Sequence, residues 1–457
     1  MKVRILFIAA AAAIAAAAGL AIADRAARVP AAYMAKTLCS EIFLAGRDEA
    51  VVRAVEFEGI SPAIDLARAA VDRKARRASA SLYGFGRATA LYRDGEGCVI
   101  VKGAPTQAPP PGDPILNTSY TPWAEGFAGT PGALDRIDYA SLDASLDAAM
   151  ADGGAATRAL LVVVDGRLVA ERYGEGFGPE TPFLSWSMAK SVTATLIGAA
   201  VQRGLIDIAA PVPVSEWAGD ARRAALPWDD LLRMQSGLAF KEDYGDPFSD
   251  VSRMLFDAHS AGAVAARKPL IHPPETSWAY SSGTSNILAR ALRPALEAKG
   301  ESYDAFPREA LFAPLGAASA VMERDSSGHY IGSSYMYATA RDWARLGQLY
   351  LDDGVWNGAR LLPEGWAAYA ASPTPASDGA YGAHFWLNRD GAARRRYMPN
   401  APEDIYYFAG HEGQYVFIAP SANAVIVRTG ITRGAVPLDV VAPMLTQILA
   451  AVGEATP

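Results

Sequence analysis

Short apolar runs rich in β-branched residues occur near both ends of the larger part of the chain. Residues 160–164 and 168–173 are two such runs, separated by an Asp-Gly dipeptide that favours a hairpin turn. Residues 414–419 and 424–429 form a second pair around a Pro-Ser-Ala-Asn turn. Because hairpins connect antiparallel strands, the sequence predicts a mostly antiparallel sheet built from both ends of this region.

Between these runs the apolar residues follow the period of a helix. Residues 187–203 are apolar on nearly every side and end at Gly204, which is typical of a buried helix with a glycine after its last turn. Residues 205–370 are mostly helical and loop-rich, and residues 436–452 close the chain as an apolar helix. The pattern therefore predicts an α+β fold, with an antiparallel β-sheet flanked by helices and an inserted helical subdomain.

A smaller α+β unit is predicted before this region. Residues 48–78 favour helix, and residues 80–92 and 98–101 resemble two strands joined by an Asp-Gly turn. A proline-rich stretch follows and is typical of a linker. The predicted divisions are an amino-terminal segment (residues 1–23), the small α+β unit (31–103), the proline-rich linker (104–133) and the larger α+β domain (134–457).

The first residues have the pattern of an export signal. Lys2 and Arg4 precede an apolar run over residues 5–23, which ends in the small-x-small pattern Ala-Ile-Ala. The run is alanine-rich, which favours a cleaved signal peptide, and the alternative is a retained anchor that binds the membrane through residues 5–23. Either interpretation predicts an exported protein, and the acidic pI of about 5.4 favours the bacterial periplasm.

The charge and cysteine content limit the expected binding partners and the expected compartment. The chain of 457 residues has a formal net charge of −7, which argues against nucleic acid as a main partner. Its two cysteines, Cys39 and Cys98, predict a disulfide in an oxidising compartment. The competing interpretation is a pair of buried free thiols.

The strongest chemical signal is Ser187-Met-Ala-Lys190 at the start of the buried helix. Residues three apart on a helix share one face, so the lysine amine lies within reach of the serine hydroxyl. Serine needs a nearby base to act as a nucleophile, and a lysine in a dry pocket loses its proton more readily. Alone the motif is weak, because a serine and a lysine often fall three apart by chance.

Two later motifs make the signal specific. Tyr280-Ser-Ser282 follows the first motif, and His411-Glu-Gly413-Gln414 precedes a predicted strand. In this order the three motifs resemble those of the serine β-lactamase and penicillin-binding protein superfamily. The sequence is most similar to its class C-like branch, which holds esterases, D-amino-acid peptidases and 6-aminohexanoate-dimer hydrolases. The resemblance covers roughly residues 135–455 and does not explain the smaller unit.

The resemblance implies a role for each motif residue. Ser187 is the acylated nucleophile, and Lys190 deprotonates it or keeps the nearby tyrosine ionisable. Tyr280 protonates the leaving group and then activates water, while Ser282 hydrogen-bonds the lysine. The backbone N–H groups of Ser187 and Gln414 form the oxyanion hole. The competing interpretation makes these ordinary packing residues.

Three further residues are implied to contact the substrate. Gly413 belongs to the third motif, and Tyr244 lies in a loop where related hydrolases place a tyrosine. His411 stands where β-lactamases usually carry a lysine, which fits an esterase or amidase better than an enzyme that recognises a β-lactam carboxylate.

These observations predict an exported serine hydrolase that cleaves a small-molecule ester or amide through an acyl-enzyme. No metal or cofactor is expected, since the sequence has neither a zincin motif nor a nucleotide-binding glycine pattern. The Gly-x-Ser-x-Gly elbow of α/β-hydrolases is also absent. The alternatives are a D-alanyl carboxypeptidase or β-lactamase, or a penicillin-binding or sensor module that acylates without turnover. The sequence does not determine the natural substrate or the oligomeric state.

Overall fold

The computed structural model describes residues 2–102 and 123–455, and the chain divides into two compact units. The first unit holds the described part of residues 1–108 together with Lys241–Ala261 and Arg324–Gly328. The second unit holds the described remainder of the chain. Residues 104–122 of the predicted linker lie outside the described residues.

The helices and strands follow the chain in this order. The α-helices are α1 (Lys2–Cys39), α2 (Glu49–Val55), α3 (Pro62–Asp65), α4 (Tyr139–Ala151), α5 (Met188–Gln202), α6 (Ala221–Ala224), α7 (Trp228–Leu232), α8 (Asp250–Phe256), α9 (Ala261–Ala266), α10 (Ser282–Glu297), α11 (Ala313–Leu315), α12 (Ala340–Leu351), α13 (Trp366–Ala370) and α14 (Pro437–Val452). The strands are β1 (Ala67–Asp72), β2 (Arg77–Leu82), β3 (Phe85–Arg93), β4 (Gly97–Ile100), β5 (Ala124–Glu125), β6 (Thr157–Val164), β7 (Arg167–Tyr173), β8 (Pro182–Leu184), β9 (Val321–Met322), β10 (Met336–Thr339), β11 (Val355–Trp356), β12 (Ala359–Arg360), β13 (Trp386–Leu387), β14 (Tyr406–Gly410), β15 (Gln414–Ala419) and β16 (Ala424–Gly430).

The first unit packs one long helix against a small antiparallel sheet. The sheet has the order β1-β2-β3-β4, and α1 packs on β2 and β3 through alanines that are almost wholly buried. Asp24, on this helix, accepts a hydrogen bond from the Gly86 backbone N–H at 2.9 Å. Across the residues that the structure describes, no helix is both long and apolar enough to cross a membrane.

Two sequence predictions in this unit are wrong. Residues 67–78, expected to be helical, form β1, the turn at residues 73–76 and the first two residues of β2. The stretch at 80–92 is two strands rather than one, because Tyr83 and Gly84 adopt left-handed φ angles of 49° and 88° and reverse the chain. Alanine-rich sequence favours helix locally, and pairing within the sheet outweighs that preference.

The predicted disulfide between Cys39 and Cys98 is confirmed. It joins the end of α1 to β4, and both cysteines are fully buried. The bond closes a loop across 59 residues and so ties the helix to the last strand of the sheet.

The second unit is built on a seven-stranded sheet with the order β13-β14-β15-β16-β6-β7-β5. Every neighbouring pair is antiparallel except β5 with β7. Both predicted hairpins are present, at β6–β7 and β15–β16. The predicted α+β fold is confirmed.

Helices cover both faces of this sheet. Phe417 and Ile426 lie in a buried cluster with residues of α4 and α14. Their neighbours Val416 and Val425 point to the opposite face, where α12 comes so close that Gly347 has room for no side chain. Because both faces are buried, the central strands are mostly apolar, with Gln414 at the start of β15 and Arg428 and Thr429 near the end of β16 as the polar exceptions.

Candidate active site

Ser187 lies where the chain passes from a short strand into a fully buried helix. Strand β8 pairs with β10, and the Ser185 N–H extends this pairing to the Met336 carbonyl at 2.7 Å. Trp186 then takes a left-handed φ of 44°, a strained conformation for a large side chain, before α5 begins. Ser187 precedes the first residue of α5 and is partly exposed, so its hydroxyl is accessible from solvent.

Lys190 lies one turn into α5 and is 1% exposed. Its Nζ is 2.9 Å from Ser187 Oγ, 2.9 Å from Ser282 Oγ and 3.2 Å from the Ser333 carbonyl oxygen. A protonated amine donates to all three oxygens, whereas a neutral amine accepts from Ser187 and donates to the other two. The same three neighbours therefore suit the lysine before and after it takes the serine proton.

Tyr280 packs against the same lysine. Lys190 Nζ lies 4.7 Å from the centroid of the Tyr280 ring, a cation–π distance. The ring also contacts Trp386 at 5.3 Å and Tyr381 at 5.9 Å between centroids. Four predicted site residues, at positions 187, 190, 280 and 282, are thus held around one amine.

Asn286 supports this arrangement from the next turn of α10. Its Nδ2 donates to the Ser282 carbonyl at 2.9 Å and to Ser333 Oγ at 2.8 Å. Both residues are oxygen partners of Lys190. The Asn286 amide thereby holds two of the three residues whose oxygen atoms contact Lys190.

His384 joins the two helices that carry these residues. Its carbonyl accepts from Ser191 Oγ on α5 at 2.7 Å, and its Nε2 is 2.8 Å from Ser285 Oγ on α10. Its Nδ1 lies 2.6 Å from the Leu232 carbonyl oxygen and must donate a hydrogen bond to it. Nε2 therefore accepts a hydrogen bond from the Ser285 hydroxyl. Burial, with a smaller contribution from the Lys190 charge, lowers the pKa of His384 to about 4 against the opposing hydrogen bond to Leu232, so the ring is neutral at physiological pH.

The third motif lies beside the residue that precedes the nucleophile. The exposed His411 ring packs edge-on against Trp186, with 5.5 Å between centroids. Partial desolvation by the neighbouring side chains lowers the pKa of His411, while the Glu412 charge raises it and the Arg433 charge lowers it. The lowered pKa favours the neutral ring, whereas a lysine at this position would be a cation.

The side chains of Gln414 and Tyr244 occupy positions that the sequence did not predict. Gln414 turns inward, where its Oε1 accepts from the Gly430 N–H at 3.1 Å, and its backbone pairs with Gly410 between β14 and β15, which takes up the N–H that was expected to face an oxyanion. Tyr244 belongs to the first unit, is 43% exposed, and donates its hydroxyl to Glu242 at 3.2 Å. Its contact with substrate stays a prediction.

The sequence matches the model of the beta-lactamase family over residues 142–448, more than half of the chain. The chain belongs to the beta-lactamase family. It is therefore a member of the superfamily of β-lactamase-like serine hydrolases, as the three motifs predicted.

Relatives of the family agree with this assignment. The chain is 32% identical over 222 residues to a 6-aminohexanoate-dimer hydrolase from Paenarthrobacter ureafaciens, which covers 46% of this chain and 56% of the relative. The chain thus spans about half the length of the curated relative that it matches.

Solved structures show the same fold. A candidate 6-aminohexanoate-dimer hydrolase from Bacillus anthracis superposes with a TM-score of 0.58 at 20% identity, over 79% of this chain and 90% of the other. A penicillin-binding protein homologue from Caulobacter crescentus superposes with a TM-score of 0.53 at 18% identity, over 70% of this chain and 98% of the other.

The sequence analysis missed three residues around the motifs of this beta-lactamase family member. Asn286 lies one helical turn after Ser282 and could have been found from that spacing. Ser333 contributes a backbone carbonyl, for which no sequence signal exists. His384 is 99 residues from its partner Ser285, so only the folded chain brings them together.

Proposed function

We propose that this protein hydrolyses a small-molecule ester or amide through an acyl-enzyme on Ser187. Lys190 accepts the Ser187 proton as the hydroxyl oxygen attacks the substrate carbonyl. Tyr280 protonates the leaving group and then activates the water that releases the acyl group. Ser282 keeps the lysine in place, and the Ser187 N–H stabilises the oxyanion.

The observation that carries this proposal is the position of Lys190 Nζ, 2.9 Å from both Ser187 Oγ and Ser282 Oγ in a buried setting. A base at hydrogen-bond distance from the hydroxyl is the geometry that nucleophilic catalysis requires. Ser187 is partly exposed whereas Lys190 is buried, which supports approach of a substrate to the serine from solvent.

The His411 position favours an ester or amide over a β-lactam. A lysine at this position would offer a permanent cation to a substrate carboxylate, whereas the lowered pKa of His411 favours its neutral form. The similarity to a 6-aminohexanoate-dimer hydrolase supports an amide among the substrates.

We also propose that the protein is exported to the bacterial periplasm. The basic and apolar pattern of residues 1–23 supports export. The buried Cys39–Cys98 disulfide supports an oxidising compartment.

The decisive experiment is labelling with a fluorophosphonate, comparing the wild type with Ser187→Ala by intact mass and peptide mapping. A single adduct on Ser187 that is absent from the variant supports the proposed nucleophile. No adduct on folded wild-type protein contradicts it.

Turnover separates the hydrolase from its alternatives. Steady hydrolysis of short acyl esters supports the proposed function. A single burst without turnover would instead indicate a penicillin-binding or sensor module, and faster turnover of D-alanyl peptides or β-lactams than of esters would indicate a cell-wall enzyme or β-lactamase.

A further inference from the structure

A row of aromatic rings begins at the proposed general acid and ends in solvent. The Tyr280 ring contacts Trp386 at 5.3 Å between centroids, and Trp386 contacts Tyr397 at 6.0 Å. The first two rings are partly exposed, and Tyr397 is 43% exposed. Exposed aromatic surface that is continuous with a candidate site is typical of a place where a ligand binds.

The inner rings of this row are packed from behind. Tyr381 is 1% exposed and lies 5.9 Å from the centroid of Tyr280 and 5.2 Å from that of Trp386. Trp278 adds a further ring, 5.5 Å from Tyr381 and 6.0 Å from Trp386. Because neighbours hold these rings in place, a ligand that lies on them does not have to order them first.

The exposed end of the row meets a strongly basic loop. Residues 389–396 contain four arginines and one aspartate, in a chain whose formal net charge is −7. The Arg394 guanidinium lies 4.6 Å from the centroid of the Tyr397 ring, a cation–π distance. The Arg395 side chain is 92% exposed, and its ion pair with Asp390 is long, at 3.9 Å. Positive charge is therefore concentrated where the aromatic row ends.

Arg394 forms no ion pair with any residue that the structure describes. Its Nη1 donates to the carbonyl of Arg395 and its Nη2 to the carbonyl of Arg389, each at 2.8 Å. Each Nη carries two hydrogens, so these bonds leave one N–H on each Nη for a ligand. A planar guanidinium with two such donors is well suited to bind a carboxylate.

The loop that carries Arg394 is ordered by its own hydrogen bonds. Asp378 accepts from the backbone N–H groups of Ala392 and Ala393, at 2.6 Å and 3.0 Å. The Gly391 N–H donates to the Arg394 carbonyl at 2.8 Å. The guanidinium is thus fixed by the loop and by the ring beneath it before any ligand binds.

The position of the aromatic row identifies the part of the substrate that it faces. In the proposed mechanism Tyr280 protonates the leaving group, so a ring that packs against Tyr280 lies on the leaving-group side of the scissile bond. A leaving group that extends over Trp386 and Tyr397 brings its far end to Arg394.

We propose that Trp386, Tyr397 and Arg394 form a leaving-group subsite that prefers an apolar or aromatic segment ending in a carboxylate. The inference rests on the proposed acyl transfer at Ser187. The segment lies on the two rings, and the carboxylate accepts from the N–H groups of Arg394, with Arg395 adding positive charge nearby. This subsite differs from the one that a lysine at position 411 would provide.

The test uses acetyl esters of phenols that carry a carboxylate on a saturated linker of increasing length, each paired with its methyl ester. The linker insulates the ring, so the two phenols of a pair have nearly the same acidity and differ only in charge. At the best linker length the wild type is expected to show a kcat/KM about 10-fold higher for the carboxylate, the equivalent of one charge-assisted hydrogen bond. High salt should weaken this preference, because exposed charges are screened.

Arg394→Gln is expected to remove the preference by raising KM for the carboxylate ester about 10-fold, while the methyl ester changes less than about 2-fold. The matched control is Arg293→Gln, since Arg293 also stacks on a tyrosine ring, that of Tyr303 at 4.2 Å. Arg293 lies about 16 Å along α10 from Ser282, so its substitution should leave the preference unchanged.

Each result decides the inference. Equal kcat/KM within every pair of esters, or a preference that survives Arg394→Gln, would overturn it while leaving the proposed function standing. An equal loss of both esters in that variant would also overturn it, because Arg394 would then only support the loop. A wild-type protein without an adduct on Ser187 overturns both proposals.

Arg395→Gln provides a second test if Arg394→Gln does not fold. It removes an exposed charge from the same loop and leaves the hydrogen bonds of Arg394 in place. The preference for the carboxylate ester is then expected to fall about 2- to 3-fold, as for loss of one exposed ion pair, and an unchanged preference refutes the inference.

Discussion

His384 makes the stability of the second unit depend on pH between its ordinary pKa of 6.5 and the lowered value of about 4. The histidine is 1% exposed, and burial lowers its pKa from 6.5 to about 4. Only the neutral ring can accept from Ser285 Oγ while it donates to the Leu232 carbonyl. A proton on Nε2 would remove that acceptor and place a second cation near Lys190.

The direction and size of the change in stability with pH follow from the difference between the pKa values of His384 in the folded and unfolded states. The unfolded chain binds a proton near pH 6.5 and the folded chain only near pH 4, so stability is full above pH 6.5 and is lost as pH falls toward 4. The shift corresponds to roughly 3 kcal/mol, of which about 2.5 kcal/mol is lost between pH 7.5 and pH 4.5.

The perturbation is His384→Asn, which does not titrate. Asparagine tolerates the left-handed φ of 64° at this position, so the substitution adds little backbone strain. Its short amide can donate to the Leu232 carbonyl but does not replace both ring nitrogens. The variant is expected to be less stable than the wild type at pH 7.5, by about 1–3 kcal/mol for one unmade buried hydrogen bond.

Urea unfolding followed by tryptophan fluorescence measures this difference selectively, because all nine tryptophans lie outside the first unit. The gap between wild type and His384→Asn should narrow by about 2.5 kcal/mol from pH 7.5 to pH 4.5, since every other titrating group is common to both proteins. In a Lys190→Met background the narrowing should be smaller, because one of the charges that lowers the pKa of His384 is gone. A gap that stays constant to within about 0.5 kcal/mol would refute the neutral, buried histidine.

Three further predictions concern the lysine, the disulfide and the amino terminus. Lys190→Met is expected to lower kcat by about 10²–10⁴-fold, whereas Ser282→Ala, which removes one hydrogen bond to the amine, lowers it about 10-fold; equal losses in steady-state kinetics would contradict the separate roles. Non-reduced protein should have a mass two hydrogens below that of the reduced protein, and equal masses would indicate free thiols. Replacing Cys39 and Cys98 by serine should destabilise the first unit by about 4 kcal/mol, measured by urea unfolding followed by circular dichroism. Amino-terminal sequencing of exported protein should begin at Asp24, and an intact Met1 in the membrane fraction would establish an anchor instead.

The sequence predicted the parts of the site that are local in the chain. A serine and a lysine three apart on one helix meet by geometry alone, and a tyrosine two residues before a serine is equally local. The remaining partners of the lysine are not local, because the Ser333 carbonyl lies 143 residues from Lys190 in the chain. The fully buried Arg428 of β16 gave no signal either, since an arginine within an apolar strand reads as a surface residue until both faces of the sheet are known to be covered.

The same reasoning explains the outcome for the fold. The second unit was predicted well because its strands are β-branched and its helices are strongly apolar, so local preference and tertiary packing agree. In the first unit β1 contains three alanines in six residues, and its pairing with β2 runs from Ala67 with Leu82 to Asp72 with Arg77. Small residues carry little preference for strand, so the sheet itself decides the conformation.

The charges around the nucleophile point to one electrostatic design. Lys190 is a buried amine held by oxygen atoms, the Arg428 guanidinium is bound by neutral acceptors that include the Gly413 carbonyl of the third motif, and the one buried histidine beside the lysine is kept neutral. Cations whose hydrogen bonds go to carbonyls and hydroxyls keep more of their field than cations paired with carboxylates, and that field is strongest in a dry interior. Under the proposed acyl transfer at Ser187, a positive neighbour favours both loss of the lysine proton and a negative charge at the substrate carbonyl. Because His384 stays neutral at every pH well above 4, this balance of charges is maintained across the physiological range.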